Sequence, residues 1–182
     1  MPIPKPIESV KLICGIILSS TLTLEEVVEK LTTRFGQTDY ISPAMDFSKY
    51  TSYYHKEMGE GLTRLFVTFK ELMDRTRLPD IKQATIALEA ELAQESKRRV
   101  NLDPGYLTLG QLFLASTKDN FQRIYLRDGI YAEVTLYYEQ GRYRTFPWTY
   151  WDYASEEYHM VFKTIRTDYK KQLRSDTPLS PP

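Results

Sequence analysis

The sequence holds one cysteine, two histidines and no excess of charge of either sign. A lone Cys14 has no intramolecular disulfide partner. Within the apolar run Leu12-Ile13-Cys14-Gly15-Ile16-Ile17-Leu18 it reads as a small buried hydrophobe. His55 and His159 stand far apart with no ligand at the usual spacing, which argues against a zinc site. Twenty-four basic residues balance twenty-four acidic ones, whereas non-specific binding to nucleic acid or an anionic membrane wants a basic excess. The apolar run is too short to span a bilayer, and no strongly basic leader precedes a small-residue cleavage site; a cytoplasmic protein is expected. A glycine-rich phosphate loop, a dinucleotide fingerprint and a nucleophile elbow are all missing. Thr117-Lys118-Asp119 looks like the guanine-reading motif of GTPases but lacks the spacer between Lys and Asp.

Against these absences stand 42% hydrophobic and 26% charged residues, ordinary values for a globular protein. A chain of 182 residues buries roughly 70% of its unfolded surface without disulfides or metal. A single α+β domain is expected over residues 1–174, with a polar, proline-rich and disordered tail over 175–182. The unusual abundance is tyrosine: fourteen residues, nine of them between Tyr125 and Tyr169. Each buries area but needs a partner for its hydroxyl, which favours a wet cleft or an interface.

Lys11 to Ser19 reads as a central strand buried on both faces. Thr23-Leu24-Glu25-Glu26 is a capping box, followed by Leu24, Val27, Val28, Leu31 and Phe35 at helical spacing and by Gly36 as a stop. Asp39 to Phe47 reads as a strand broken near Pro43, and Leu62 to Leu72 as a third strand. A second helix starts at Pro79, with Ile81, Ala84, Leu88 and Leu92 as its buried stripe. The order strand, helix, strand, strand, helix, strand predicts a ferredoxin-like split βαβ core, extended by antiparallel hairpins. A C-terminal helix is expected from about Ser155 to Leu173.

The hairpins allow a finer reading. A three-residue loop at Arg127-Asp128-Gly129 places Arg123 opposite Glu133 and Tyr125 opposite Tyr131. A two-residue turn at Gln140-Gly141 pairs Tyr138 with Tyr143, Tyr137 with Arg144 and Glu139 with Arg142. One face then carries Arg123, Tyr125, Tyr131, Glu133, Thr135, Tyr137 and Arg144. It reads either as a solvated sheet face or as a site.

Asn101-Leu102-Asp103-Pro104-Gly105-Tyr106 is expected to begin as a strand and turn sharply at Pro-Gly, with Asp103 either satisfying local amides or facing a ligand. Ser116-Thr117-Lys118-Asp119 offers two hydroxyls, an ammonium and a carboxylate at a strand-end turn, where Lys118 and Arg123 together could neutralise an anion. Pro147 to Tyr153 is either a hydrophobic lid or an aromatic wall built from Trp148 and Tyr150. The long segment around Met45 to Gly59 is a cover or a binding loop. A magnesium ion on Asp46, Asp103, Asp119 or Glu133 would leave little trace in sequence, so a divalent metal stays open as a cofactor.

Taken together, Phe35-Gly36, Met45-Asp46-Phe47, Tyr53-Tyr54, Glu57-Met58-Gly59, Asn101 to Tyr106, Ala115 to Asp119, Arg123 to Leu126, Gly129 to Leu136 and Trp148-Thr149-Tyr150 carry a resemblance. Over nearly its whole length the chain resembles domain-of-unknown-function family 4416, an uncharacterised family of bacteria and archaea. The family pattern places a proline after Trp-Thr-Tyr and often a histidine before Arg-Ile-Tyr, where this chain has Trp151 and Gln122. If that histidine carries chemistry, Gln122 removes it here. The resemblance implies no established reaction, and the missing phosphate loop does not support the GTP-binding label of some members.

These residues lead to two expectations. The first is a site for a small anionic or nucleotide-like ligand, formed by Asn101, Asp103, Lys118, Asp119, Arg123, Tyr125, Glu133, Trp148 and Tyr150, with Asp103 and Glu133 as candidate proton carriers. The second is a protein-interaction or self-assembly module, such as a homodimer, that uses the Tyr-rich sheet face.

Overall fold

The structure, a computed structural model, describes residues 2–3 and 6–176. In chain order its elements are β1 (Lys11–Leu18), α1 (Leu24–Phe35), β2 (Thr38–Ile41), β3 (Met45–Asp46), α2 (His55–Met58), β4 (Thr63–Phe69), α3 (Leu78–Glu91), β5 (Val100–Leu107), β6 (Gln111–Ser116), β7 (Ile124–Arg127), β8 (Ile130–Glu139), β9 (Arg142–Thr145) and α4 (Glu156–Asp176). This is an α+β fold.

The apolar run that forms β1 is buried along its full length because it lies inside the sheet, antiparallel to β4 on one side and β5 on the other. The strand order is β2-β4-β1-β5-β6-β8-β7, with β3 also on β4 and β9 also on β8. Helix α1 leads from β1 to β2 with β4 between them; α3 leads from β4 to β5 with β1 between them. Thr23 and Glu26 start α1 by the reciprocal bonds of a capping box, and Gly36, at φ 93°, ends it.

Alternation along β1 sends side chains into both layers of the core. Leu12, Cys14, Ile16 and Leu18 share a cluster with Val27 and Leu31 of α1 and Ile81 and Leu88 of α3. Ile13 faces the other way, with Phe66 and with Tyr158, Val161, Phe162 and Ile165 of α4. Beside that second layer, Ile17 packs on Phe47, Met58 and Leu62, so the segment around β3 and α2 covers this end of the face.

At two places side chains stand in for a missing strand. Only Gly105–Leu107 of β5 pairs with β6, through Leu112–Leu114. Upstream, Pro104 has no N–H to offer. The Leu102 N–H instead donates to Glu89 Oε1 at 2.6 Å, and the Leu102 carbonyl accepts from Lys82 Nζ at 2.9 Å. Both groups come from α3, and burial pushes the Glu89 carboxyl up from its ordinary value. Along β8, β7 pairs with Ile130–Ala132 and β9 with Leu136–Glu139. Between them the Val134 carbonyl accepts from the Trp148 indole at 2.9 Å, and the Thr135 carbonyl accepts from Thr149 Oγ1 at 2.7 Å. Buried backbone polar groups find partners even where the ladder stops.

Several expectations need correction. Asn101 to Leu107 does not turn at Pro-Gly: β5 runs straight through, in register with β1 from Val100 to Leu107. The Arg127 hairpin closes with a two-residue turn at Asp128-Gly129, both at positive φ, and the extra residue becomes a bulge at Leu126. That bulge restores the expected opposition of Tyr125 and Tyr131. The Gln140-Gly141 hairpin has the expected register throughout. Helix α4 continues through Ser175 and Asp176, into the stretch expected to be a disordered tail; the rest of that stretch, 177–182, lies outside the described residues.

The single polar face on β8 is also corrected. A register shift between Leu112 and Phe113 makes Thr135 the extra residue on β8, so Leu112 faces Leu136 while Leu114 faces Glu133. A bulge inverts the alternation beyond it. Tyr131 and Glu133 therefore share the α4 face, while Tyr137 and its partner Arg144 lie on the opposite one.

Candidate functional site

On the α4 face of the sheet, register sets Ile17 between Arg64 and Asn101, and Gly15 between Phe66 and Asp103. Because Gly15 has no side chain, Arg64 of β4 reaches across β1. A Cβ on Gly15 would lie 2.8 Å from Arg64 Nη1 and 3.2 Å from the Tyr153 hydroxyl. Arg64 Nη1 donates to Asp103 Oδ2 at 3.0 Å, and Nη2 donates to Asp152 Oδ2 at 3.1 Å. The rings of Phe47, Phe66, Tyr153 and Tyr158 surround the guanidinium at 5.0–5.9 Å.

One buried cation thus joins two carboxylates in different settings. The Asp103 side chain is 28% exposed and that of Asp152 only 10%. Burial works to raise Asp103, yet the charges of Arg64 and Lys82 outweigh it and hold its carboxyl below the ordinary value. Burial dominates at Asp152 and raises its carboxyl despite Arg64. Burial likewise opposes the Arg64 charge, but the phenols and carboxylates around it keep it protonated well above the usual guanidinium range. Environments that push two carboxyls apart are how one site sets an acid and a base side by side. Arg64 Nε and the hydroxyls of Tyr153 and Tyr158 are buried without a hydrogen-bond partner, and so is Asn101 Nδ2.

Asp103 reaches solvent beside the α2 segment. Arg98 pins that segment to β5. Its Nε and Nη2 donate to the two Glu57 oxygens at 2.7 Å each, its Nη1 donates to Asn101 Oδ1 at 3.0 Å, and the guanidinium lies 5.5 Å from the Tyr54 ring. Tyr54 is pushed up from the ordinary phenol range, first by burial and then by the Asp103 charge. Tyr53 meets Tyr54 edge to face at 5.0 Å, and the Lys118 ammonium lies 5.7 Å from the Tyr53 ring. Among the described residues Lys118 forms no ion pair.

A family model, described as Domain of unknown function (DUF4416), matches residues 8–169, which include every residue of this cluster. The chain belongs to this family. No curated protein and no solved structure matches it.

In this DUF4416 member the nine candidate ligand residues fall into separate groups. Asn101 and Asp103 project from β5 next to Arg98 and Arg64. Arg123 and Glu133 form a pair at 2.9 Å with side chains only 5% and 3% exposed, not a solvated face. Glu133 also accepts from Gln122 Nε2 at 3.0 Å and from Thr135 Oγ1 at 3.4 Å. Gln122 is thus part of this buried network. Arg123 Nη1 donates to Ser116 Oγ and to the Lys118 carbonyl, so it shapes the turn that presents Lys118. Loss of solvation and then the Asp119 carboxylate push the Tyr131 phenol up, and its ring packs against Tyr125 at 5.3 Å. Trp148 stacks on Phe146 at 4.8 Å, its indole N–H spent on β8, while Tyr150 and Trp151 are exposed. Among the described residues no three His, Cys, Asp or Glu side chains gather in a cluster fit for a metal ion.

Sequence reasoning missed Arg64, Asp152, Tyr153, Arg98 and Gly15 as members of one cluster. One signal was available. Arg64 alternates in phase with Phe66 and Thr68, so it sits where a strand covered on both faces requires burial. A concavity of about 730 Å³ lies elsewhere, between Lys70, Leu109 and Lys170.

Proposed function

We propose that this DUF4416 member binds a small anionic, nucleotide-like or sugar-phosphate ligand where Asp103 meets solvent, with Asn101, Tyr54 and Lys118 around it. One observation carries the reading. Asn101 Nδ2 is buried without a partner on the face of β5 that holds a carboxylate reached by solvent, and Arg64 Nε and the Tyr153 and Tyr158 hydroxyls are left without one around the guanidinium that pairs with it. Such groups are rarely left unsatisfied unless water or a ligand completes them. Lys118 supplies the cation and Tyr53 and Tyr54 the aromatic surface. Asp103 is the group that would take a proton if the site is catalytic. On the same footing we read residues 1–174 as one domain with a ferredoxin-like half, in a cytoplasmic protein.

A thermal-shift panel of inorganic phosphate, ribose 5-phosphate, adenosine monophosphate, small dicarboxylates and magnesium tests this. A phosphate ester at about one hundred times its Kd should add about 2.7 kcal/mol and raise Tm by a few degrees. Lys118→Ala and Asp103→Asn should remove the rise. Equal rises in both variants and wild type would contradict the placement.

A second reading rests on the sheet edge. All four residues of β7 are exposed, including Ile124 at 70%, and Phe121 beside them is 92% exposed. An exposed apolar strand at the end of a sheet is a surface for a protein partner or a second copy. Silence across the panel, with a mass that grows with concentration in light scattering, would favour it.

A further inference from the structure

We infer that the ligand presents a hydroxyl group to Asn101 and Asp103, which read it as a matched donor and acceptor; this rests on the anionic-ligand reading above. The two residues project from the same face of β5, two positions apart. Asn101 is buried, and its Oδ1 is occupied by Arg98 Nη1 at 3.0 Å, which fixes the orientation of the amide. Its NH2 faces the Asp103 carboxylate closely enough to help keep it ionised, but meets no oxygen at ordinary hydrogen-bond geometry. The Asp103 carboxylate is held from behind by Arg64 and only accepts.

A hydroxyl is the group that satisfies both at once: its oxygen accepts from Asn101 Nδ2 and its hydrogen goes to Asp103. An anion would be repelled by Asp103, and an ammonium would leave the Asn101 donor unsatisfied. The anionic end of the same ligand belongs to Lys118, beyond Tyr53 and Tyr54. The ligand class is therefore a phosphate ester of a polyol or sugar. Its phosphate gives affinity, and its hydroxyl gives selectivity, because a site built to bond a hydroxyl rejects the analogue that lacks it.

Calorimetric titration of the full chain with ribose 5-phosphate and with n-pentyl phosphate separates these roles. Ribose 5-phosphate should bind at least about ten-fold tighter than the ester without hydroxyls, a difference of about 1.4 kcal/mol. Asn101→Ala should bring the two affinities together while pentyl phosphate binds as before. Lys118→Ala should weaken both esters alike and keep their ratio. Asp103→Asn is the second variant, compared at a temperature where its melting curve shows it folded. Equal affinity of the two esters for wild type, or an unchanged ratio in Asn101→Ala, would overturn the hydroxyl assignment and leave the anion site standing. Binding of neither ester would instead overturn the anionic reading, and the hydroxyl assignment with it.

Discussion

Replacing Arg64 by Ala should destabilise the fold by about 3–5 kcal/mol at neutral pH, because two carboxylates then lose the buried cation that compensates them. Arg64→Lys should recover little of this: an ammonium cannot donate to two carboxylates from the two ends of a planar fork. The pH dependence identifies the cause. In the wild type, Asp103 sits below its ordinary value of 3.8, so its contribution is present above that value and lost as pH falls through the folded-state value. Asp152 is raised, so its contribution is present below 3.8 and lost as pH rises through its folded-state value. Without Arg64, burial is opposed mainly by the Lys82 charge at Asp103 and by the Tyr153 backbone at Asp152, so the neutral forms of both carboxyls are favoured more than in the wild type. The stability difference between wild type and Arg64→Ala should therefore be largest near neutrality and narrow below about pH 4. Urea denaturation across pH measures it. A difference independent of pH would mean that lost packing, not unpaired charge, is the cause.

Gly105→Ala should cost at least about 3 kcal/mol, or prevent folding, although it adds a single methyl group. A Cβ there would lie 2.0 Å from the Phe113 carbonyl oxygen and 3.1 Å from its carbon. Both are backbone atoms of β6, so no rotamer change relieves the clash and the strands must separate. The pairing at stake is short, since only Gly105–Leu107 joins the β1 half of the sheet to the hairpin half. Gly110→Ala is the control. Its Cβ would meet nothing within 4 Å, and a change within about 0.5 kcal/mol is expected. A melting temperature for Gly105→Ala equal to that of Gly110→Ala would refute the close approach.

How much of this was legible in the residues depended on whether the signal was local. The capping box at Thr23, the buried run of β1, the strand broken near Pro43 and the Gln140 hairpin are written in adjacent residues, and each forms as read. Pro104-Gly105 misled because those residues commonly turn a chain. Here proline occupies a stretch of β5 that has no β6 partner, and glycine admits a close strand approach. The bulge at Thr135 was invisible because nothing in the sequence of β8 marks a register shift imposed by β6. The site shows the same division. Asp103 and Asn101 stood out locally, but their surroundings come from β4, the turn before α4 and the loop before β5, which only the folded sheet and the packing on it bring together. Arg123 and Glu133 were rightly placed opposite each other, yet sheet packing buries the pair and joins it to Gln122 and Thr135.

The central claim is that a hydroxyl-bearing phosphate ester binds where Asp103 reaches solvent. Titrating ribose 5-phosphate into the isotope-labelled protein, followed by backbone amide chemical shifts, tests it most directly. Saturable shifts at Tyr54, Asn101, Asp103 and Lys118, with one common Kd and absent from Asn101→Ala, are the predicted result. Shifts confined to the groove between Lys70, Leu109 and Lys170, or no saturable shift at all, would contradict it.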